Sequence, residues 1–210
     1  MRSIEKLEPS KHVRGRFLLW FEGERDPVRV TENEVLSFAL YRGRTLSEEE
    51  YADLLRAGSA SAARTLGVKL LGERPLSRRE LCRRLVEKGC SEADAADAAD
   101  YLEEIGALDE QGYAATIVRH YSRQGYGVAR VRQELHRRGI PRELWEEALE
   151  ELDDPEEQAA AFLEARFRTR EPDAKSLKRA TDALLRRGFR WDEIKAGLSR
   201  AGITLEEESV

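Results

Sequence analysis

The chain is poor in the residues that build catalytic centres and covalent scaffolds. Its 210 residues include two cysteines, three histidines and six prolines. Cys82 and Cys90 have the spacing of neither a zinc ligand set nor a redox motif, so they read as reduced packing residues. His12 falls in the polar N-terminus, and His120 and His136 fall on basic helices as surface or stripe-edge residues. A phosphate loop is lacking too, because Gly125-Tyr126-Gly127 has neither the preceding strand nor the lysine such a loop requires. Helical zinc motifs and nucleophile elbows are absent, and the carboxylates cluster on solvated helix faces. These absences exclude an enzyme on sequence grounds: no catalytic residue, metal or cofactor is expected. No run approaches the roughly 18 apolar residues of a membrane span. Met1-Arg2-Ser3-Ile4-Glu5-Lys6 lacks the apolar core of a signal peptide, so the cytoplasm is the default compartment. Positive charge is not in excess either: 36 Lys and Arg face 41 Asp and Glu, for a net charge of -5. A plain electrostatic nucleic-acid binder is more often basic overall, so any charge-driven contact must come from local patches.

What is present is charge and helical periodicity. Charged residues make up 37% and hydrophobic residues 40% of the chain, a balance that favours helices with thin apolar stripes. The first dozen residues are polar and expected to be loose. Phe17-Leu18-Leu19-Trp20-Phe21 is a short apolar run stopped by Gly23 and Asp26-Pro27, and Val28-Arg29-Val30 then alternates. Two short strands joined by a turn account for this, and no further strand is expected. Thr31-Glu32-Asn33-Glu34 and Ser47-Glu48-Glu49-Glu50 are capping boxes, each opening a helix. Gly58 is expected to end the second, closing an N-terminal extension of a hairpin and two helices over 1–58.

Beyond Gly58 the chain repeats. Leu81, Leu85 and Gly89 share their spacing with Val131, Leu135 and Gly139, and with Ala180, Leu184 and Gly188. The three glycines recur about every 50 residues, each preceded by Lys or Arg and followed by an apolar residue, which reads as one structural unit in three copies. Each copy reads as three helices, over 59–107, 108–153 and 154–204, before an acidic tail at 205–210. In the first, Ala62, Leu66 and Leu70 mark helix one, Pro75 breaks the chain, Ser77-Arg78-Arg79-Glu80 caps helix two and Ser91 opens helix three. In the second, Asp109 caps the helix of Tyr113, Ile117 and Tyr121, and Pro141 opens the helix of Leu144, Trp145, Ala148 and Leu152. In the third, Asp154-Pro155 is a cap followed by proline at the first helical position. Helices this short need tertiary contacts. The fold class is therefore mainly α: three tandem three-helix repeats in an elongated curved array, with a small N-terminal hairpin and helical extension.

The centre of the array is 125–139, a short basic helix bracketed by Gly125, Gly127 and Gly139. Val128, Val131 and Leu135 form its apolar stripe. Arg119, Arg123, Arg130, Arg132, Arg137 and Arg138 are opposed there only by Glu134, and an acidic helix from Glu143 to Asp154 follows. The first copy repeats the contrast, with Arg83 and Arg84 before Glu92 to Glu104. Mixed charge for solubility is one account; recurrence in register across the copies favours a binding surface of separate basic and acidic stripes. Trp145 and Trp191 are expected in the core. Tyr126 is expected at the surface, in a capping contact or a partner contact.

Taken together, Arg123-Gln124-Gly125-Tyr126-Gly127, Arg130-Val131-Arg132-Gln133-Glu134-Leu135, Arg137-Arg138-Gly139-Ile140, Pro75-Leu76-Ser77-Arg78-Arg79-Glu80-Leu81, Ala107-Leu108-Asp109-Glu110 and Arg186-Arg187-Gly188-Phe189 resemble the bacterial RecX family of regulators of the RecA recombinase. The resemblance covers about 60–200 and implies three tandem three-helix repeats. It implies a monomer that binds the groove of the RecA–single-stranded DNA filament in recombination, DNA repair and the SOS response. Inhibition of the ATPase and strand exchange is the expected direction. The residues expected at the partner are Arg83, Arg84, Arg119, Arg123, Tyr126, Arg130, Arg132, Arg137, Arg138, Arg186 and Arg187, with weak contact to single- or double-stranded DNA. Gln124 stands where the family pattern has Arg or Lys, which weighs against strong independent DNA binding. The alternatives are a direct DNA binder resembling a helix-turn-helix protein and a helical scaffold for another partner.

Overall fold

The computed structural model describes residues 1–169 and 172–203; the acidic tail expected at 205–210 lies outside them. The chain divides into two compact units, Met1–Arg74 with Leu81–Leu108, and Pro75–Glu80 with Asp109 onward. It is mainly helical, with one sheet among the described residues.

The first unit begins with a four-stranded sheet where only a hairpin was expected. Strands β1 (Arg2–Pro9), β2 (Arg16–Phe21), β3 (Val28–Thr31) and β4 (Thr45–Leu46) lie in the order β3-β2-β1-β4. The expected hairpin is β2–β3, but the N-terminal residues are not loose: they form β1, antiparallel to both β2 and β4. Periodicity hides this strand for a physical reason. A register shift between Ile4 and Lys6 breaks the alternation that marks a strand, leaving Ile4 and Leu7 out of step. Ile4, Leu19, Phe21, Val30, Leu40, Leu46 and Leu54 form the core beneath the sheet.

Both capping boxes form. Thr31 opens α1 (Glu32–Ser37) and Ser47 opens α2 (Glu48–Glu73), with reciprocal side-chain to backbone bonds in each. Gly58 does not end α2, which runs unbroken for 26 residues. A helical glycine costs only about 1 kcal/mol relative to alanine, and α2 is held at both ends of its length. Leu54 enters the sheet core, and farther along Ala63, Gly67 and Leu70 are buried. A Cβ at Gly67 would lie 2.5 Å from Leu102 Cδ1 of α4 (Glu92–Glu104), so the absent side chain admits that leucine. The buried stripe is thus displaced from the expected one: Ala62 is exposed and Ala63 faces inward. Helix α3 (Arg78–Glu87) buries Leu81 and Leu85 completely.

The second unit holds α5 (Glu110–Arg123), α6 (Val128–Arg138), a 3-10 turn (Arg142–Leu144) leading into α7 (Trp145–Leu149), α8 (Pro155–Phe167), α9 (Ala174–Arg186) and α10 (Trp191–Arg200). Asp109, Asp154 and Asp173 each cap a helix through the side chain, with Pro155 at the first position of α8. Tyr113, Ile117, Val118, Val131, Leu135, Ile140 and Ala148 form one core. Ala159, Leu163, Ala180, Leu184, Phe189, Ile194 and Leu198 form another. Trp145 packs against the first and donates its indole N–H to the Ile140 carbonyl at 3.0 Å. Trp191 departs from expectation. It is 46% exposed, because as the first residue of α10 it precedes the turn on which Ile194 and Leu198 point inward.

Candidate interaction surface

The glycine brackets of α6 are joints between copies. At its C-terminus Gly139 takes φ 73°, the left-handed conformation glycine adopts without a Cβ clash. Gly139 packs directly against Arg79 at the start of α3, and Ser77, the first residue of that helix's capping box, donates its hydroxyl to the Arg138 carbonyl at 2.5 Å. The same contact recurs one copy later. Gly188, with φ 89°, packs against the backbone of Arg130 in the first turn of α6. The N–H of Gly127 donates to the Arg187 carbonyl at 3.0 Å and that of Ala129 to the Gly188 carbonyl at 3.2 Å. Amide donors that an isolated helix leaves unsatisfied are therefore taken by the next copy. This explains why Gly127 is an N-cap with no capping side chain: a Cβ there would lie 2.5 Å from the Gly188 carbonyl oxygen.

Two expected partner residues are built into the second joint. Arg187 reaches the carbonyls of Gln124 and Gly125 at 3.2 and 3.3 Å. Its guanidinium lies 5.1 Å from the Phe162 ring centroid and 5.8 Å from that of Tyr126. Tyr126 is half-buried rather than at the surface, with its ring 5.4 Å from Tyr121.

The C-terminal turn of α6 carries a second internal network. Glu134 is almost fully buried, and it accepts from Arg137 at 2.9 and 2.6 Å and from Arg138 at 2.6 Å. The Arg137 bonds, with those from Arg138, hold its carboxyl at about 2. Arg137 is correspondingly pushed up by the same bonds. Arg138 also donates to the Tyr113 hydroxyl, which reaches Glu80 at 3.3 Å. Arg138 is thus a link toward the start of α3, whereas the Arg137 side chain stays 69% exposed.

The basic and acidic helices, separate in sequence, are bridged in space. Arg132 pairs with Glu146 at 2.9 Å and Arg119 with Glu151 at 3.4 Å. In the third copy Arg200 spans Asp154 and Glu156 at 2.9 and 2.7 Å. In the first unit Arg83 pairs with Glu87 at 3.5 Å and the mostly buried Arg84 with Glu73 at 3.7 Å. Clean stripes of one sign are therefore not what the molecule presents. Such exposed pairs contribute little to stability, but they do cancel local field. Arg123, Arg130 and Arg186 are exposed and make no ion pair among the described residues. All three flank the second joint, with exposed Leu185 and Trp191 close by in sequence. Sequence reading passed over Leu185 and placed Trp191 in the core, and the signal for both as surface residues was their position at the helix ends on either side of Gly188.

Comparison with known proteins places this architecture. Residues 63–102 match the first three-helix domain of RecX and residues 109–149 the second. The regulatory protein RecX of Halorhodospira halophila is 36% identical over 148 residues, which cover 69% of this chain and 92% of that protein. The chain belongs to the RecX family. The regulatory protein RecX of Pseudomonas putida strain GB-1 is likewise 36% identical over 140 residues, covering 66% of this chain and 90% of its own. A crystal structure of regulatory protein RecX superimposes with a TM-score of 0.76 at 23% identity, over 93% of this chain and 99% of that one. The RecX structure from Lactobacillus salivarius gives 0.64 at 18% identity, over 70% and 98%. At those identities the two structures speak for the fold. No helix among the described residues is long and apolar enough to cross a membrane.

Proposed function

We propose that this chain regulates the RecA recombinase by binding the RecA–single-stranded DNA filament, lowering its ATPase and strand-exchange activities as a binding protein of the cytoplasm rather than as an enzyme. The observation that carries this reading is the 36% identity across 92% of the length of a regulatory protein RecX. The surface fits the role. Arg123, Arg130 and Arg186 are cations without a committed carboxylate, set around a joint whose backbone bonds fix one copy against the next. Trp191 and Leu185 add exposed apolar area of the kind that anchors protein interfaces.

The test is co-sedimentation with RecA filaments assembled on single-stranded DNA, comparing the wild type with Arg123→Glu/Arg130→Glu/Arg186→Glu. Each lost exposed charge contact is worth roughly 0.5–1 kcal/mol, so the triple variant is expected to bind at least about tenfold more weakly with unchanged helicity. Arg137 is left out because reversing it would set a like charge against buried Glu134. Unchanged filament affinity in the triple variant would remove this surface from the interface.

A further inference from the structure

The N-terminal sheet has a second face that the core does not use. Strand register places Lys6, Trp20, Glu8, Leu18, Arg29 and Arg16 together on it, with Lys6 opposite Trp20 and Leu18 between Glu8 and Arg29. Leu18 and Trp20 stand apart from the core formed by Leu19, Phe21 and Val30 on the opposite face. Both are half-buried, and the Lys6 ammonium sits 5.3 Å from the Trp20 ring centroid. The loop at one end of this face adds Lys11 and Arg14, both exposed, and from Pro9 to Phe21 the chain contains no Asp or Glu. The loop is tethered: the Ser10 hydroxyl accepts from the His12 and Val13 amides, and Ser10 N–H donates to the Arg16 carbonyl at 2.7 Å. Glu8 is occupied by Lys6 at 2.8 Å. Lys11, Arg14, Arg16 and Arg29 make no ion pair among the described residues. In a chain of net charge -5, this is a concentrated positive field around an aromatic platform.

We propose that the outward face of the N-terminal sheet, with the basic loop beside it, is a binding site for single-stranded DNA. A flat aromatic and a leucine amid unpaired cations match a ligand that alternates phosphates with stackable bases. Proteins that hold single strands without sequence preference combine such a charged groove with base stacking on aromatic side chains. Trp20 is the stacking surface, and Lys11, Arg14, Arg16 and Arg29, which make no ion pair among the described residues, contact the backbone. The choice of DNA over RNA rests on the filament reading; the site itself does not.

The experiment is fluorescence anisotropy of labelled oligothymidine with the full chain and no recombinase, across a salt series. The wild type is expected to bind saturably, with a slope of log affinity against log salt of about -3, from four phosphates at about 0.7 each. Arg14→Glu/Arg29→Glu, altering two exposed residues, is expected to bind at least about tenfold more weakly. Trp20→Leu is expected to lose at least about fivefold and Trp20→Phe to stay within about threefold, as stacking requires. Should Trp20→Leu lower the melting midpoint, the double charge reversal decides. The triple variant at Arg123, Arg130 and Arg186 is expected to keep its oligothymidine affinity, so this site and the filament surface fail separately. Absence of saturable binding by the wild type, or full affinity in the double charge reversal, overturns the proposal. Oligouridine bound tenfold more tightly than oligothymidine overturns the choice of DNA.

Discussion

Substituting serine for Gly127 sets local helix physics against the joint between copies. Gly127 is the N-cap of α6, in extended backbone that any residue can adopt. Serine is at least as good an N-cap as glycine, so an isolated helix would gain a few tenths of a kcal/mol from Gly127→Ser. In the folded chain its Cβ would lie 2.5 Å from the Gly188 carbonyl oxygen and 2.6 Å from the Phe189 nitrogen, both backbone atoms that no rotamer change can move. Overpacking of this kind costs about 1–3 kcal/mol. The bonds from Gly127 to Arg187 and from Ala129 to Gly188 stretch with it, at about 0.5–1.5 kcal/mol each. The net expectation is a loss of about 2–6 kcal/mol, a fall of at least about 8 °C in the melting transition of the second unit. Circular dichroism reads the transition, and hydrogen exchange at the Gly127 and Ala129 amides reads the joint. A variant as stable as the wild type, or more stable, would refute the joint as the reason for glycine at this position.

Acid should expose the Glu134 network. Its carboxyl is lowered from 4.5 to about 2 in the folded chain, so its contribution is complete above pH 4.5 and is lost as pH falls through about 2. Urea unfolding between pH 6 and pH 2 should show that loss in the wild type, whereas Glu134→Gln should lack this component. At neutral pH Glu134→Gln is expected to cost about 2 kcal/mol, less than the full shift implies because Arg137 is partly screened by water; an unchanged urea midpoint would contradict the assignment.

Much of the helical architecture was legible because its signals are local. Capping boxes at Thr31 and Ser47, the Asp154-Pro155 start and the recurring Leu-to-Gly spacing each act within a turn or two, and each forms as read. The misreadings share a cause, which is tertiary contact outweighing local preference. Gly58 lies inside α2 because the helix is packed along its length, and β1 exists because β2 and β4 flank it despite a register shift. The basic residues were identifiable as a group, but their division into committed and uncommitted was not. Arg138 and Arg187 look like Arg130 and Arg186 in sequence, and only long-range partners such as Tyr113 and the Gln124 carbonyl set them apart. Glu134 read as the lone acid of a basic helix, yet its burial makes it the hub of that helix's C-terminal turn.

The most direct test of the regulatory account is the rate of ATP hydrolysis by RecA on single-stranded DNA with this protein titrated in. The account predicts suppression at well below one molecule per recombinase protomer, relieved in the triple variant at Arg123, Arg130 and Arg186. An unchanged rate with protein shown to be folded would contradict it, leaving the RecX repeat fold intact and moving its partner elsewhere.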